Sequence, residues 1–262
     1  MSDFTDKTVI VTGGNGGIGK EVAGLFANLG AQVYIIGRNE ETLKKTVDEL
    51  SSEREQVRYK MLDVKNVQDC GKVVNEIAAE AGRLDVLVNA AGKYIELSTD
   101  ETEQKDFDDL FDINVRGTYF MCKYARPHLA QTEGAIVNIG STAGSIAFPE
   151  ASLYCATKGA LNMITKSLAI DFAKDGIRVN IVCPDMVKTK MLDVGFLHSG
   201  IKDRDEYDLL GLGQYPQAEE KRRFILPEEV AECVVFLASN EKAASITGAS
   251  VTLDFGLTAG SF

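Results

Sequence analysis

The stretch Val9-Ile10-Val11-Thr12-Gly13-Gly14-Asn15-Gly16-Gly17-Ile18-Gly19 constrains this chain more than any other. A short β-branched run feeds a loop in which five of the seven residues from Gly13 to Gly19 are glycine. An apolar stripe at helical spacing follows at once, with Ile18, Val22, Leu25, Phe26 and Leu29. Strand, glycine turn and helix is the arrangement that turns backbone N–H groups at a helix N-terminus toward a pyrophosphate. Glycine is required because a Cβ would block the turn and hold phosphates away from the backbone. Two registers fit: Gly14-x-Gly16-x-x-Gly19, the common dinucleotide fingerprint, and the longer-spaced Thr12-Gly13-x-x-x-Gly17-Ile18-Gly19. A ligand-free βα turn is the competing reading, and the flanking pattern favours a nucleotide site.

Further strand-like runs recur at Val33–Ile36, Val57–Met61, Val86–Val88, Ile136–Ile139, Val179–Val182 and Ser250–Leu253. Most are continuously apolar, as parallel strands covered on both faces are. Helical patterns lie between them near 18–29, 40–51, 66–81, 103–130, 154–174 and 227–239. Alternating β and α units imply an α/β fold, a Rossmann-like doubly wound parallel sheet, with residues 1–262 as a single dinucleotide-binding domain. The stretch 190–226 breaks the rhythm. It has no strand signal, carries Gly195, Gly200, Gly211, Gly213 and Pro216, and mixes charge with bulky apolar groups, so a substrate lid is expected there.

Composition narrows the function classes. A net charge of −11 argues against nucleic acid or an anionic membrane as partner. The five cysteines are scattered with no C-x-x-C, which reads as reduced thiols in the cytoplasm. His128 and His198, the two histidines, stand alone, so no metal site is expected. The N-terminal residues show no basic-then-apolar secretory pattern, and no apolar run reaches bilayer length.

Chemistry enters at Tyr154-Cys155-Ala156-Thr157-Lys158, which puts a phenol and an ammonium on one helix face. A phenol near pKa ~10 is a poor acid or base at neutral pH, and a nearby fixed positive charge pulls that value down. The same spacing occurs at Tyr119-Phe120-Met121-Cys122-Lys123. Context separates the two. Ser141 stands thirteen residues before Tyr154, just after the strand Ile136–Ile139, where open α/β sheets place their ligands. Asp106, in an acidic helical stretch, stands thirteen before Tyr119.

Taken together, Thr12-Gly13-x-x-x-Gly17-x-Gly19, Asn89-Ala90-Ala91-Gly92, Asn114, Ser141, Tyr154-x-x-x-Lys158 and Arg223-x-x-x-Pro227-Glu228-Glu229-Val230-Ala231 resemble the short-chain dehydrogenase/reductase family from Lys7 to Gly256. The resemblance implies a seven-stranded sheet and NAD(P)-dependent interconversion of an alcohol and a carbonyl. It makes Tyr154 the acid/base, Lys158 the group that depresses its pKa and binds the nicotinamide ribose, Ser141 the carbonyl-orienting hydroxyl, and Asn114 the holder of a relay water. It places Gly13, Asn15, Gly16, Ile18, Arg38, Asp63, Val64, Asn89, Ala90, Val187 and Thr189 at the cofactor, with Asp63 at the adenine amino group. Four positions depart from the family pattern: Ala90, Gly140, Asp185 and Phe255. Asp185 falls where backbone approaches the nicotinamide, so its carboxylate is expected to alter carboxamide contacts.

Cofactor choice turns on Ile36-Gly37-Arg38-Asn39, where no acid precedes Glu40 to accept the ribose hydroxyls of NAD(H). Arg38 is free to pair with a 2′-phosphate, so NADP(H) is preferred and NAD(H) possible. Gly16 points the other way, because many NADP enzymes of the family carry a basic residue there. Met191, Leu192, Phe196, Leu197, Ile201, Tyr207, Leu210, Leu212 and Tyr215, with Ile146 and Phe148, suggest a bulky apolar substrate such as a hydroxysteroid or 3-oxoacyl compound. Helices 103–130 and 154–174 carry apolar residues beyond one stripe, and similar family members pair these helices in a four-helix bundle. A homotetramer or homodimer is therefore expected. Two other readings stay open: a catalytically inactive nucleotide-binding regulatory protein of the same fold, and an NAD-dependent sugar or polyol dehydrogenase.

Overall fold

The computed structural model describes residues 3–51, 56–198, 201–217 and 222–260. Within the stretch expected to form a lid, residues 199–200 and 218–221, Gly200 among them, lie outside the described residues, as do Met1 and Ser2 of the N-terminal segment. The strands are β1 (Thr8–Thr12), β2 (Gln32–Gly37), β3 (Val57–Met61), β4 (Val86–Asn89), β5 (Ala135–Ile139), β6 (Arg178–Pro184) and β7 (Ser250–Leu253). They form one parallel seven-stranded sheet in the order β3-β2-β1-β4-β5-β6-β7, in a single Rossmann-like domain. All seven strands read from the sequence are present. The strand order reverses at β1 and β4, which opens a crevice at their carboxyl ends.

Alternate strand residues feed two cores. Val9, Val11, Val33 and Ile35 pack with Val22 and Phe26 of α1 (Gly17–Asn28) and with Val230 and Val234 of α9 (Pro227–Ala238). Ile10, Tyr34, Leu87 and Ile136 pack on the other face. They meet Val74 and Ile77 of α3 (Val67–Ala81), Met121 of α5 (Thr118–Leu129) and Leu168 of α6 (Ser152–Asp171). Two-sided burial explains why the central strands show no polar alternation. The outer helix α2 (Glu40–Leu50) is capped by Asn39, whose Oδ1 accepts the Thr42 N–H at 3.0 Å.

Two segments differ from the sequence reading. The helix expected over 103–130 is α4 (Gln104–Phe111), a π-helical turn (Asp112–Gly117) and α5. The extra residue of that turn brings Asn114 inside, and such insertions recur at functional sites. The stretch 190–226 contains two short helices, α7 (Lys190–His198) and α8 (Arg204–Leu212). Asp203 caps α8, and Arg204 ties the pair together by reaching Asp193 and Asp208, each at 2.7 Å. Among the described residues no helix is long and apolar enough to cross a membrane.

Candidate active site

A cleft of about 1160 Å³ runs along the carboxyl ends of the strands. That exceeds the ~300–1,000 Å³ usual for a single small ligand, so a dinucleotide and a substrate fit together. At one end lies the glycine loop. Gly13 has φ +67°, and a Cβ there would lie 2.8 Å from the Ala91 nitrogen and 2.9 Å from the Ala90 oxygen. A Cβ on Gly16, by contrast, meets nothing within 4 Å. Gly16 begins α1 without a side-chain cap, so the first amides of that helix face the cleft bare. This cradle fits a pyrophosphate.

Most of the residues expected at the cofactor line the cleft: Gly13, Asn15, Gly16, Ile18, Arg38, Asp63, Val64, Ala90, Val187 and Thr189. Asn15 is turned to α2, its Nδ2 donating to Thr42 Oγ1 at 2.8 Å. Arg38 is exposed at the end of β2 and has no ion pair among the described residues. Asp63 Oδ1 accepts the Lys65 N–H at 3.0 Å. Asn89 is placed differently: its side chain turns into the layer between sheet and helices. Its Nδ2 donates to Asn138 Oδ1 at 2.9 Å and to Cys122 Sγ at 3.3 Å.

At the other end, β5 and α6 bring together the groups expected to react. Ser141 follows β5, and its Oγ accepts the Ala143 N–H at 3.2 Å at the head of the turn Thr142–Gly144. Tyr154 and Lys158 enter from the first turns of α6, and all three line the cleft. A Cβ on Gly144 would lie 2.8 Å from the Lys158 carbonyl oxygen, so loop and helix are in intimate contact. Gly140 is needed for similar reasons: a Cβ would lie 2.7 Å from Cys183 Sγ. Asn114 stands behind this wall and does not line the cleft. Its amide bridges Lys93 O at 2.9 Å and Thr157 Oγ1 at 3.1 Å, and its Oδ1 accepts the Lys93 N–H at 2.8 Å. Tyr119 lies elsewhere, exposed on α5, and Lys123 packs over Phe120 and Tyr124 instead of beside it.

The electrostatics differ from expectation. Burial pushes the Tyr154 phenol up to about 12, against a Ser141 hydrogen bond that favours the phenolate. Lys158 was expected to hold it down, but burial lowers the lysine itself to about 8. Its Nζ donates to Ile139 O at 3.0 Å and lies 5.6 Å from the Tyr154 ring centroid. Removal from water disfavours both charged forms here.

Asp185 also lines the cleft. Its carboxylate is taken up within the protein, accepting from Thr142 Oγ1 at 2.6 Å and from the Tyr215 hydroxyl at 2.8 Å. Tyr215 in turn packs edge-on against Phe255 at 5.4 Å, and Arg223 lies over that ring at 5.1 Å. Two departures from the family pattern thus belong to one cluster. Of the expected substrate walls, Met191, Leu192, Ile201, Tyr207, Leu210 and Phe148 line the cleft, whereas Phe196, Leu197, Leu212, Tyr215 and Ile146 do not. Sequence reasoning missed Tyr94 and Glu96. Tyr94 stacks edge-on against Tyr154 with ring centroids 4.9 Å apart, and its hydroxyl donates to Glu96 Oε2 at 2.7 Å. Their place just after β4, at the switch in strand order, was the available signal.

A family model described as enoyl-(acyl carrier protein) reductase matches residues 13–258. The chain belongs to the short-chain dehydrogenase/reductase family. It is 36% identical to meso-2,3-butanediol dehydrogenase of Serratia marcescens over 256 residues, covering 98% of this chain and 96% of that one. The ligand-free aldohexose dehydrogenase of Thermoplasma acidophilum superposes with a TM-score of 0.87 at 30% identity, over 99% of this chain and 97% of that one. ElxO with NADP bound superposes with a TM-score of 0.86 at 34% identity, over 97% and 99%. As a member of the short-chain dehydrogenase/reductase family, the protein is an oxidoreductase acting on CH–OH groups. In this dehydrogenase/reductase Ser141, Tyr154 and Lys158 line the same cleft that the glycine loop opens.

Proposed function

We propose that this chain, as one dinucleotide-binding oxidoreductase domain, interconverts a secondary alcohol and a ketone with NADP(H), on a substrate whose body is bulky and apolar, such as a hydroxysteroid or 3-oxoacyl compound. The observation that carries the reading is the convergence of Ser141, Tyr154 and Lys158 on one cleft with the bare glycine loop. A bound nicotinamide supplies the hydride for ketone reduction and receives it in alcohol oxidation. Gly13, Gly16, Ile18, Val187 and Thr189 would hold the dinucleotide, and Arg38, without an ion pair among the described residues, would take a 2′-phosphate. Ser141 Oγ orients the substrate oxygen by hydrogen bond. Tyr154, whose raised pKa keeps its proton at neutral pH, donates that proton to the oxygen in reduction. In oxidation the phenolate takes it back. Lys158 Nζ, fixed by the Ile139 carbonyl, favours that phenolate when charged. Asn114, tied to Thr157 and Lys93, braces the turn of α6 between Tyr154 and Lys158. Phe148, Met191, Leu192, Ile201 and Leu210 make the substrate end apolar.

Exposed Phe107, Tyr119, Met163 and Ile170 on α4, α5 and α6 support burial of these faces in a homodimer or homotetramer. Five free cysteines fit the cytoplasm. A panel of secondary alcohols and ketones, steroids included, followed by reduced-nicotinamide absorbance with NADP(H) and with NAD(H), tests the activity. Turnover with neither cofactor on any of them refutes it, and a catalytically inactive nucleotide-binding role then stands.

A further inference from the structure

Three carboxylates line the cleft: Asp63, Glu96 and Asp185. Asp63 follows β3, on the opposite side of β1 from the reactive groups. Asp185 has one protein hydroxyl on each oxygen. Glu96 is different. Its Oε2 accepts from the Tyr94 hydroxyl at 2.7 Å, and among the described residues it has no other hydrogen bond and no ion pair. Tyr94 is packed edge-on against Tyr154, so the carboxylate is held one aromatic ring away from the proton-transfer group. Glu96 also faces the lid: its charge, after burial, helps raise the phenol of Tyr207 on α8.

A half-buried carboxylate in the same cleft as Phe148, Ile201 and Leu210 is unfavourable unless it finds a donor. Tyr94 satisfies one oxygen and, by the same bond, fixes the direction of the other. We propose that Glu96 is a specificity residue of this enzyme, its free oxygen accepting a hydrogen bond from a second hydroxyl on the substrate. The preferred substrate is then a diol or hydroxy ketone, with an apolar body against the lid and a donor group beside the reacting carbon. Such a site disfavours an analogue lacking the hydroxyl because the carboxylate is left without its partner. The inference rests on the alcohol–ketone reading above and adds the second polar contact to it.

The test compares cyclohexanol with cyclohexane-1,2-, -1,3- and -1,4-diol as substrates of the intact enzyme with oxidised NADP. At least one diol should exceed cyclohexanol in kcat/KM by about tenfold to a hundredfold, the range of a charge-assisted hydrogen bond. Glu96→Leu should bring that ratio close to one. Glu96→Gln keeps an acceptor oxygen and should hold an intermediate ratio, and it serves if the leucine variant does not fold. Tyr94→Phe should lower the ratio by releasing the carboxylate. Calorimetric titration of the same alcohols into enzyme with oxidised NADP separates the possible failures. Turnover with no diol advantage, or a ratio unmoved in both Glu96 variants, overturns the Glu96 assignment alone. Diol affinity that depends on Glu96 without any turnover supports it and overturns the oxidoreductase reading. Neither turnover nor Glu96-dependent affinity overturns both.

Discussion

Asp185→Ala should be the most informative single change outside the reacting groups. The carboxylate accepts one hydroxyl from Thr142, next to Ser141, and one from Tyr215, in the segment that follows α8. Both donors are buried, each 1% exposed, so neither can turn to water when the acceptor is lost. An orphaned buried donor costs about 1–3 kcal/mol, which puts the variant about 2–6 kcal/mol below the parent if the site does not relax. At roughly 2–4 °C per kcal/mol for a chain of this size, the melting temperature should fall by at least ~4 °C. Denaturant unfolding of the parent, Asp185→Ala, Tyr215→Phe and the double variant isolates the Asp185–Tyr215 bond, with an expected coupling of about 1.5–3 kcal/mol. Because Thr142 adjoins Ser141, kcat should fall in Asp185→Ala while cofactor affinity changes less. A coupling below about 0.5 kcal/mol would show that the carboxylate is not shared between the two hydroxyls, and the reasoning would fail.

Arg38→Asp should shift preference from NADP(H) to NAD(H) tenfold or more in kcat/KM, since a charge-assisted phosphate contact of about 1.5–3 kcal/mol is replaced by repulsion. A parent enzyme that already favours NAD(H) would contradict this. Gly13→Ala should abolish cofactor binding in an equilibrium titration and lower stability, because its Cβ meets Ala91 and Ala90 backbone and φ is +67°. The strain alone is worth about 1–2 kcal/mol. Alcohol oxidation should accelerate about tenfold per pH unit toward alkaline pH, because Tyr154 must be ionised to accept the proton and its pKa is raised to about 12. Ketone reduction should not share that rise. For stability, Lys158 is lowered to about 8, so above that pH the unfolded chain holds the extra proton and stability rises with pH. The unfolding free energy of the parent should accordingly rise relative to that of Lys158→Met from about pH 8 to 10, and a constant difference would contradict the shift.

The central strands were legible because burial on both faces leaves long β-branched and apolar runs. The π-helical turn at Asn114 was not, since one inserted residue leaves the apolar repeat of 103–130 nearly intact. The lid helices left a weaker trace. Asp203 as a cap, Asp205 and Glu206 in the first turn, and Arg204 four residues before Asp208 form a helix-start pattern that Gly195, Gly211 and Gly213 obscure. Spacing singled out Tyr154 over Tyr119 only with Ser141 in view, and the placement of Tyr119 on an exposed face of α5 accords with that choice. What no spacing could reveal was the direction of side chains. Asn89 turns into the buried Asn138 pair, and the Asp185 carboxylate, at the cleft wall, is held by Thr142 and Tyr215. The titration of Tyr154 and Lys158 was likewise illegible, because it depends on how far the folded chain excludes water from both.

Removal of the one proton-carrying oxygen tests the central claim most directly. Tyr154→Phe and Tyr119→Phe should be assayed side by side by reduced-nicotinamide absorbance, with NADP(H) affinity measured on each by equilibrium titration. Tyr154→Phe should bind NADP(H) as the parent does and turn over neither alcohol nor ketone, while Tyr119→Phe keeps most of the activity. Parent-like turnover in Tyr154→Phe would contradict the assignment of proton transfer to this cleft.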